Sequence, residues 1–139
     1  MFGNRDQLRS QFLDAWDKAQ AGGTLNALET QIVTVIQEHP EYHHLFGDRE
    51  HALQAEFPPE AGQTNPFLHL AMHLSIREQA ATDRPAGIRA IYQRLGHKLG
   101  MLEAEHLMLE CLGQALWEAQ RKGTLPDDQI YLDCLHRCE

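Results

Sequence analysis

The chain has 139 residues, a length typical of one domain with its own hydrophobic core. It carries 12 basic and 20 acidic residues, and its net charge is −8 when the histidines are neutral. This balance argues against a nucleic-acid binder and against a protein of anionic membrane surfaces, because both need a basic surface. No apolar run reaches the ~18–20 residues that a membrane-spanning helix needs.

Apolar residues recur at helical spacing along the chain, and no segment alternates at the period of a β-strand. Gly22 and Gly23 end the first helix, and Pro40 separates the second helix from a short third one. Asn65 can cap, and Pro66 can open, a central helix that is apolar on almost every side. The predicted helices span residues 6–21, 25–38, 40–46, 66–82, 87–99, 102–122 and 127–137.

The connection over residues 47–64 is the least regular part, although a short helix can begin near residue 48 before Pro58 and Pro59 stop it. These features predict an all-α protein with a single helical domain over residues 1–139. We expect a helical bundle of four to five main helices and a short C-terminal helix.

The N-terminal residues and the cysteines predict a cytoplasmic location. The first nine residues are polar and lack the hydrophobic region of a signal peptide. Three cysteines, an odd number, fit reduced thiols better than a disulfide framework. In this interpretation Cys111 is a small core residue. No feature of the sequence identifies a protein partner. A homodimer is compatible with the sequence.

Three pairs of side chains that can ligate metals have a helix-compatible spacing of four residues, and Glu103 precedes one pair by a turn. Two such ligands can reach one ion, and neighbouring helices can bring several pairs to one point. Imidazole and carboxylate groups suit iron, zinc, manganese or nickel. The pairs are His39 with His43, His69 with His73, and His106 with Glu110.

We therefore expect the chain to bind one or two transition-metal ions, iron or zinc. The expected ligands are His69, His73, His106 and Glu110, helped by His39, His43 and Glu103. Glu103 or Glu110 would bridge a dinuclear site, whereas a single ion would keep an open position. Such a position permits redox or oxygen-linked chemistry with iron and hydrolysis with zinc. Arg77 and Glu78 follow on the central helix as groups that would orient the ligands.

Several alternatives stay open at this point. Buried histidines are often held by backbone carbonyls or carboxylates, so the same residues are compatible with a metal-free interaction or regulatory module built on a His/Glu network. The pair His39 and His43 is the weakest, because Pro40 stands between its members. Cys134 and Cys138 have a spacing that suits a soft metal, but without a second cysteine pair this signal is poor. The sequence holds none of the common hydrolase motifs, and it leaves enzymatic activity undecided.

Three further motifs of the chain are His39-Pro-Glu-Tyr-His43, Asn65-Pro-Phe-Leu-His69 with His73 and Glu78-Gln79, and Ala104-Glu105-His106 with Glu110-Cys111-Leu112. In these motifs the chain resembles a bacterial family of small helical proteins that is known only as a domain of unknown function. The resemblance implies that these histidines and Glu110 belong to the family pattern. The ligand types are also similar to those of hemerythrin-like and ferritin-like di-iron bundles, but here the His-x-x-x-His pairs precede the His-x-x-x-Glu pair, so no role is transferred from them.

Overall fold

The computed structural model describes residues 4–58 and 65–139, and within them it contains helices and no strand. This confirms the all-α class. None of the helices in these two ranges is both long and apolar enough to cross a membrane. The helices are α1 (Arg5–Gln20), α2 (Ala27–Gln37), a 3-10 helix (Pro40–Gly47), α3 (Arg49–Gln54), α4 (Pro66–Thr82), α5 (Ile88–Leu99), α6 (Met101–Lys122) and α7 (Asp128–Cys138).

The chain divides into two compact units, unit 1 over Met1–Leu74 and unit 2 over Ser75–Glu139. The prediction of a single domain stays a prediction. The irregular connection predicted over residues 47–64 contains α3, as the sequence suggested, and its residues 59–64 lie outside the described part of the chain.

Helix α4 begins where the sequence predicts it. The side-chain oxygen of Asn65 accepts hydrogen bonds from the backbone N–H groups of Phe67 at 3.0 Å and Leu68 at 3.2 Å. Pro66 occupies the first helical position, where the N–H that it lacks would have no partner within the helix. This capping fixes the first turn of α4, directly before the histidines that the helix carries.

Unit 1 is organised around aromatic and branched side chains of α1, α2 and the first turns of α4. The rings of Phe12 and Phe67 meet edge to face, with 6.4 Å between their centres. Such pairing adds to the stabilisation from burial itself. The buried cluster comprises Phe12, Leu13, Ala15, Ile32, Val33, Val35, Ile36, Leu45, Phe46, Ala52, Phe67, Leu70, Ala71 and Leu74.

Unit 2 contains α5, α6 and α7. Gly100 joins the first two of these helices with a φ of 88°, a left-handed conformation that glycine adopts without strain. Its presence lets α6 start immediately after α5 ends, as predicted. Residues that the unit buries include Ile88, Ile91, Leu95, Ala104, Met108, Cys111, Ala115 and Leu135.

Candidate metal centre

His39 lies at the joint between α2 and the 3-10 helix, and only 2% of its surface is exposed. Its Nδ1 is 2.8 Å from the backbone oxygen of Val35. Because a carbonyl oxygen can only accept, Nδ1 carries the proton of the neutral ring and Nε2 carries the lone pair. A hydrogen bond of this kind is how proteins orient imidazole ligands and set their tautomer.

His69 and His73 lie one turn apart on α4, and their rings face each other. Their Nε2 atoms are 3.1 Å apart, and the ring centres are separated by 4.7 Å. Two nitrogens at this separation would subtend an angle of about 95–100° at an ion bound to both at about 2.0–2.1 Å. This angle lies between the octahedral and the tetrahedral value, so the separation of the two nitrogens is compatible with one shared ion.

The three rings of unit 1 form one group. The centre of the His39 ring lies 5.3 Å from that of His69 and 4.7 Å from that of His73. One nitrogen of each ring lies within 4.8 Å of a nitrogen of the other two. His39 and His73 are buried, and His69 is partly exposed. We name it the imidazole group.

Tyr42 borders the imidazole group. Its ring is parallel to that of His39 at a centre-to-centre distance of 5.7 Å and lies 6.1 Å from that of His69. Burial raises the pKa of the Tyr42 hydroxyl, and the charge of Glu41 adds to the rise. The phenol therefore stays neutral at physiological pH, and its ring packs against the imidazole group.

His43, the predicted partner of His39, contacts Ile36 and Trp16. His43 Nε2 donates to the backbone oxygen of Ile36 at 2.8 Å, and its ring packs 5.0 Å from that of Trp16. The segment is wound as a 3-10 helix, in which positions three apart, not four, share a face. His39 lies before this helix, as its N-cap residue, and the role of His43 as a ligand stays a prediction.

The remaining predicted ligands lie on α6 in unit 2. His106 is partly exposed, and its Nδ1 is 3.5 Å from a carboxylate oxygen of Glu103. The side chain of Glu103 is 73% exposed, and Glu110 is exposed as well. The roles of these three residues as ligands stay predictions.

Helix α6 also carries a buried carboxylate, which residue type alone does not distinguish from the exposed Glu103 and Glu110. Glu105 has no exposed surface; it accepts two hydrogen bonds from the Arg77 guanidinium, at 2.9 and 3.0 Å, and one from the Tyr92 hydroxyl at 2.6 Å. Glu105 precedes Met108 and Leu109 by three and four residues, and this spacing places it on the apolar face of α6. That spacing is the one feature of the sequence that indicates its burial. Arg77, predicted to orient metal ligands, binds this carboxylate, and the neighbouring Glu78 is exposed.

The expectation of three reduced cysteines is wrong for one pair. Cys111 on α6 and Cys134 on α7 form a disulfide, with their Cα atoms 5.6 Å apart. This Cα distance is typical of disulfides and results from the packing of α6 on α7, which the sequence does not reveal. Cys111 is buried, as expected of a core residue, and Cys138 is a free thiol.

These features define a small all-α protein with a candidate transition-metal centre in its first unit. A family model described as Domain of unknown function (DUF1841) matches residues 4–137, and the chain belongs to this family. The match confirms the family resemblance inferred from the motifs. No curated protein and no solved structure matches the chain. The likeness to hemerythrin-like and ferritin-like bundles stays an expectation.

Proposed function

We propose that this protein binds a transition-metal ion, iron or zinc, through the imidazole group of His39, His69 and His73. The observation that carries the proposal is the convergence of ring nitrogens, one from each histidine, within 4.8 Å of one another.

The tautomers support this assignment. The Val35 carbonyl holds Nδ1 of His39 in the protonated form, so the lone pair of this ring is on Nε2. His69 and His73 also turn their Nε2 atoms toward each other. These two nitrogens share one hydrogen bond, and an ion bound to both would take the place of its proton.

Three neutral imidazoles leave the ion its full positive charge and leave coordination positions for a further ligand. Bound zinc would supply a Lewis acid that lowers the pKa of a coordinated water, whereas bound iron would supply redox chemistry. His69 is partly exposed, and the neutral phenol of Tyr42 borders the group. If the bound ion is iron, we propose that the chemistry is redox or oxygen-linked.

The predicted contributions of His106, Glu110, Glu103 and His43 extend the proposal to a larger or dinuclear site. They are tested by single alanine variants. Replacing a residue that supplies a ligand should lower the metal affinity by about tenfold or more, because even the loss of a group that only supports a ligand has this effect. A variant with unchanged affinity removes that residue from the site and leaves the three-histidine proposal intact.

The experiment is elemental analysis of protein purified without an affinity tag. The wild type should contain about one iron or zinc ion per chain, and the His69→Ala/His73→Ala variant should contain almost none. The matched control is His44→Ala/His51→Ala, which removes two exposed histidines of the same unit and should keep the metal. Far-ultraviolet circular dichroism verifies that each variant is folded. A double variant with the metal content of the wild type would overturn the proposal.

A metal-free interaction or regulatory module is the second candidate. It is favoured by the hydrogen bonds that His39 and His43 make with the carbonyls of Val35 and Ile36. In this case the histidines form a structural polar network. The wild type would then be metal-free, and the His69→Ala/His73→Ala variant would lose stability equally with and without a chelator.

A further inference from the structure

A second cluster of metal-binding atoms lies in unit 2 and does not depend on the imidazole group. It contains the three sulfur atoms of Cys111, Cys134 and Cys138, all within 4.8 Å of one another. Cys111 and Cys134 are 1% and 9% exposed, and Cys138 is partly exposed. A buried disulfide therefore has a free thiol beside it that solvent can reach.

The backbone places these sulfurs as a trigonal metal site requires. Cys134 and Cys138 lie four residues apart on α7 and so share a face. Cys111 approaches from α6, with its Cα 5.6 Å from that of Cys134. Three thiolates bound to one ion at about 2.3 Å have sulfurs roughly 4.0 Å apart, so small side-chain rotations suffice once the disulfide is open.

We propose that reduced Cys111, Cys134 and Cys138 form a second metal site, which binds a soft d10 cation of the Cu(I), Zn(II) and Cd(II) class. Thiolates select such ions over harder ones. Formation of the Cys111–Cys134 disulfide removes two of the three ligands. The disulfide and the bound cation are therefore alternative states of one site.

The interconversion balances as follows. A dithiol reductant transfers two electrons and two protons to the disulfide; the Cys111–Cys134 bond breaks, two thiols form, and the reductant becomes a cyclic disulfide. The cation then forms three metal–sulfur bonds and displaces three thiol protons to solvent. A disulfide oxidant reverses the first step and releases the cation.

The experiment titrates the full-length chain with Cd(II), under anaerobic conditions, after reduction with dithiothreitol and removal of the reductant. Sulfur-to-cadmium charge-transfer absorption in the ultraviolet reports thiolate ligands and is silent for imidazole. Reduced wild type should reach its full absorption at one Cd(II) per chain. Cys138→Ser should lose about one third of the absorption per ion, because one of three sulfurs is gone. Its affinity should fall about tenfold or more.

The protein with its disulfide intact is the matched control and should show at most the signal of one thiolate. The His69→Ala/His73→Ala variant should keep the whole sulfur signal, which separates this site from the imidazole group. Cys138 is the last residue of α7, so its replacement leaves the helices folded, and circular dichroism verifies this. Equal absorption in the reduced and disulfide forms, or in wild type and Cys138→Ser, would overturn the proposal.

Discussion

Replacing Arg9 by methionine should destabilise the unit that carries the imidazole group. Arg9 lies on α1, and only 2% of its surface is exposed. Its Nη1 donates to the backbone oxygens of Ala52 at 2.9 Å, Leu53 at 3.3 Å and Ala55 at 2.8 Å. These are carbonyls at the C-terminal end of α3, which have no partners within that helix. A charged donor at this position ties α3 to α1.

The Arg9 guanidinium also contacts two aromatic rings. Its central carbon is 5.6 Å from the ring centre of Phe57 and 5.1 Å from that of Phe67. Phe67 belongs to the first turn of α4 and lies two residues before His69. Arg9 therefore links α1 and α3 to the helix that positions two of the three candidate ligands.

The expected loss of stability follows from these contacts. A hydrogen bond to a charged group contributes about 1.5–3 kcal/mol, and three bonds that share one nitrogen are not additive. Methionine keeps the apolar stem but leaves the Ala52 carbonyl, which is buried, without its donor. We expect the free energy of unfolding to fall by about 3 kcal/mol, which lowers the urea midpoint by about 1.5 M for an m-value of about 2 kcal/mol/M.

Arg5→Met is the matched control for the urea experiment. Arg5 lies one turn earlier on α1 and donates to the same Ala55 oxygen at 2.9 Å, but its side chain is 42% exposed and its partner Glu56 is 75% exposed. Exposed pairs contribute about 0–1 kcal/mol, so its midpoint should fall by no more than about 0.5 M. Equal midpoints for Arg9→Met and Arg5→Met would refute the role given to burial.

Three further predictions concern the buried ion pair, the disulfide and the metal. Arg77→Ala should lower the free energy of unfolding by about 3 kcal/mol, because it deprives the buried Glu105 carboxylate of its guanidinium partner. The control is Arg94→Ala, which breaks an exposed ion pair and should cost at most about 1 kcal/mol. Urea titration measures both. Reducing the Cys111–Cys134 disulfide, which spans 23 residues, should cost about 3 kcal/mol, and unchanged stability in dithiothreitol would contradict this. Chelation should lower the melting temperature of the metal-loaded protein by about 9 °C if the free ion stood at about 100 times its Kd, with no change expected for the His69→Ala/His73→Ala variant.

The helices could be predicted from the sequence because their ends are set by local chemistry. Asn65 and Pro66 start α4 through groups that lie within three residues of each other. The same holds for Gly100, whose backbone conformation ends one helix and begins the next. The pairing of His69 with His73 also needed only the helical repeat.

Features that depend on tertiary packing could not be predicted in this way. The sequence paired His39 with His43 at α-helical spacing, but the residues from Pro40 onward wind as a 3-10 helix and turn His43 toward Ile36. The polar stripe on α6 drew attention to exposed carboxylates, whereas the buried Glu105 depends on Arg77, 28 residues away. The Cys111–Cys134 disulfide likewise required knowledge of which helices pack together.

The most direct test of the imidazole group is anomalous diffraction at the absorption edge of the metal, from crystals of untagged protein. The proposal predicts one anomalous peak about 2.0–2.2 Å from a ring nitrogen of each of His39, His69 and His73. The nitrogen of His39 next to the peak should be Nε2, since Nδ1 is hydrogen-bonded to the Val35 carbonyl. A map without a peak between these rings, in protein shown to be folded, would contradict the assignment of this group as a metal centre.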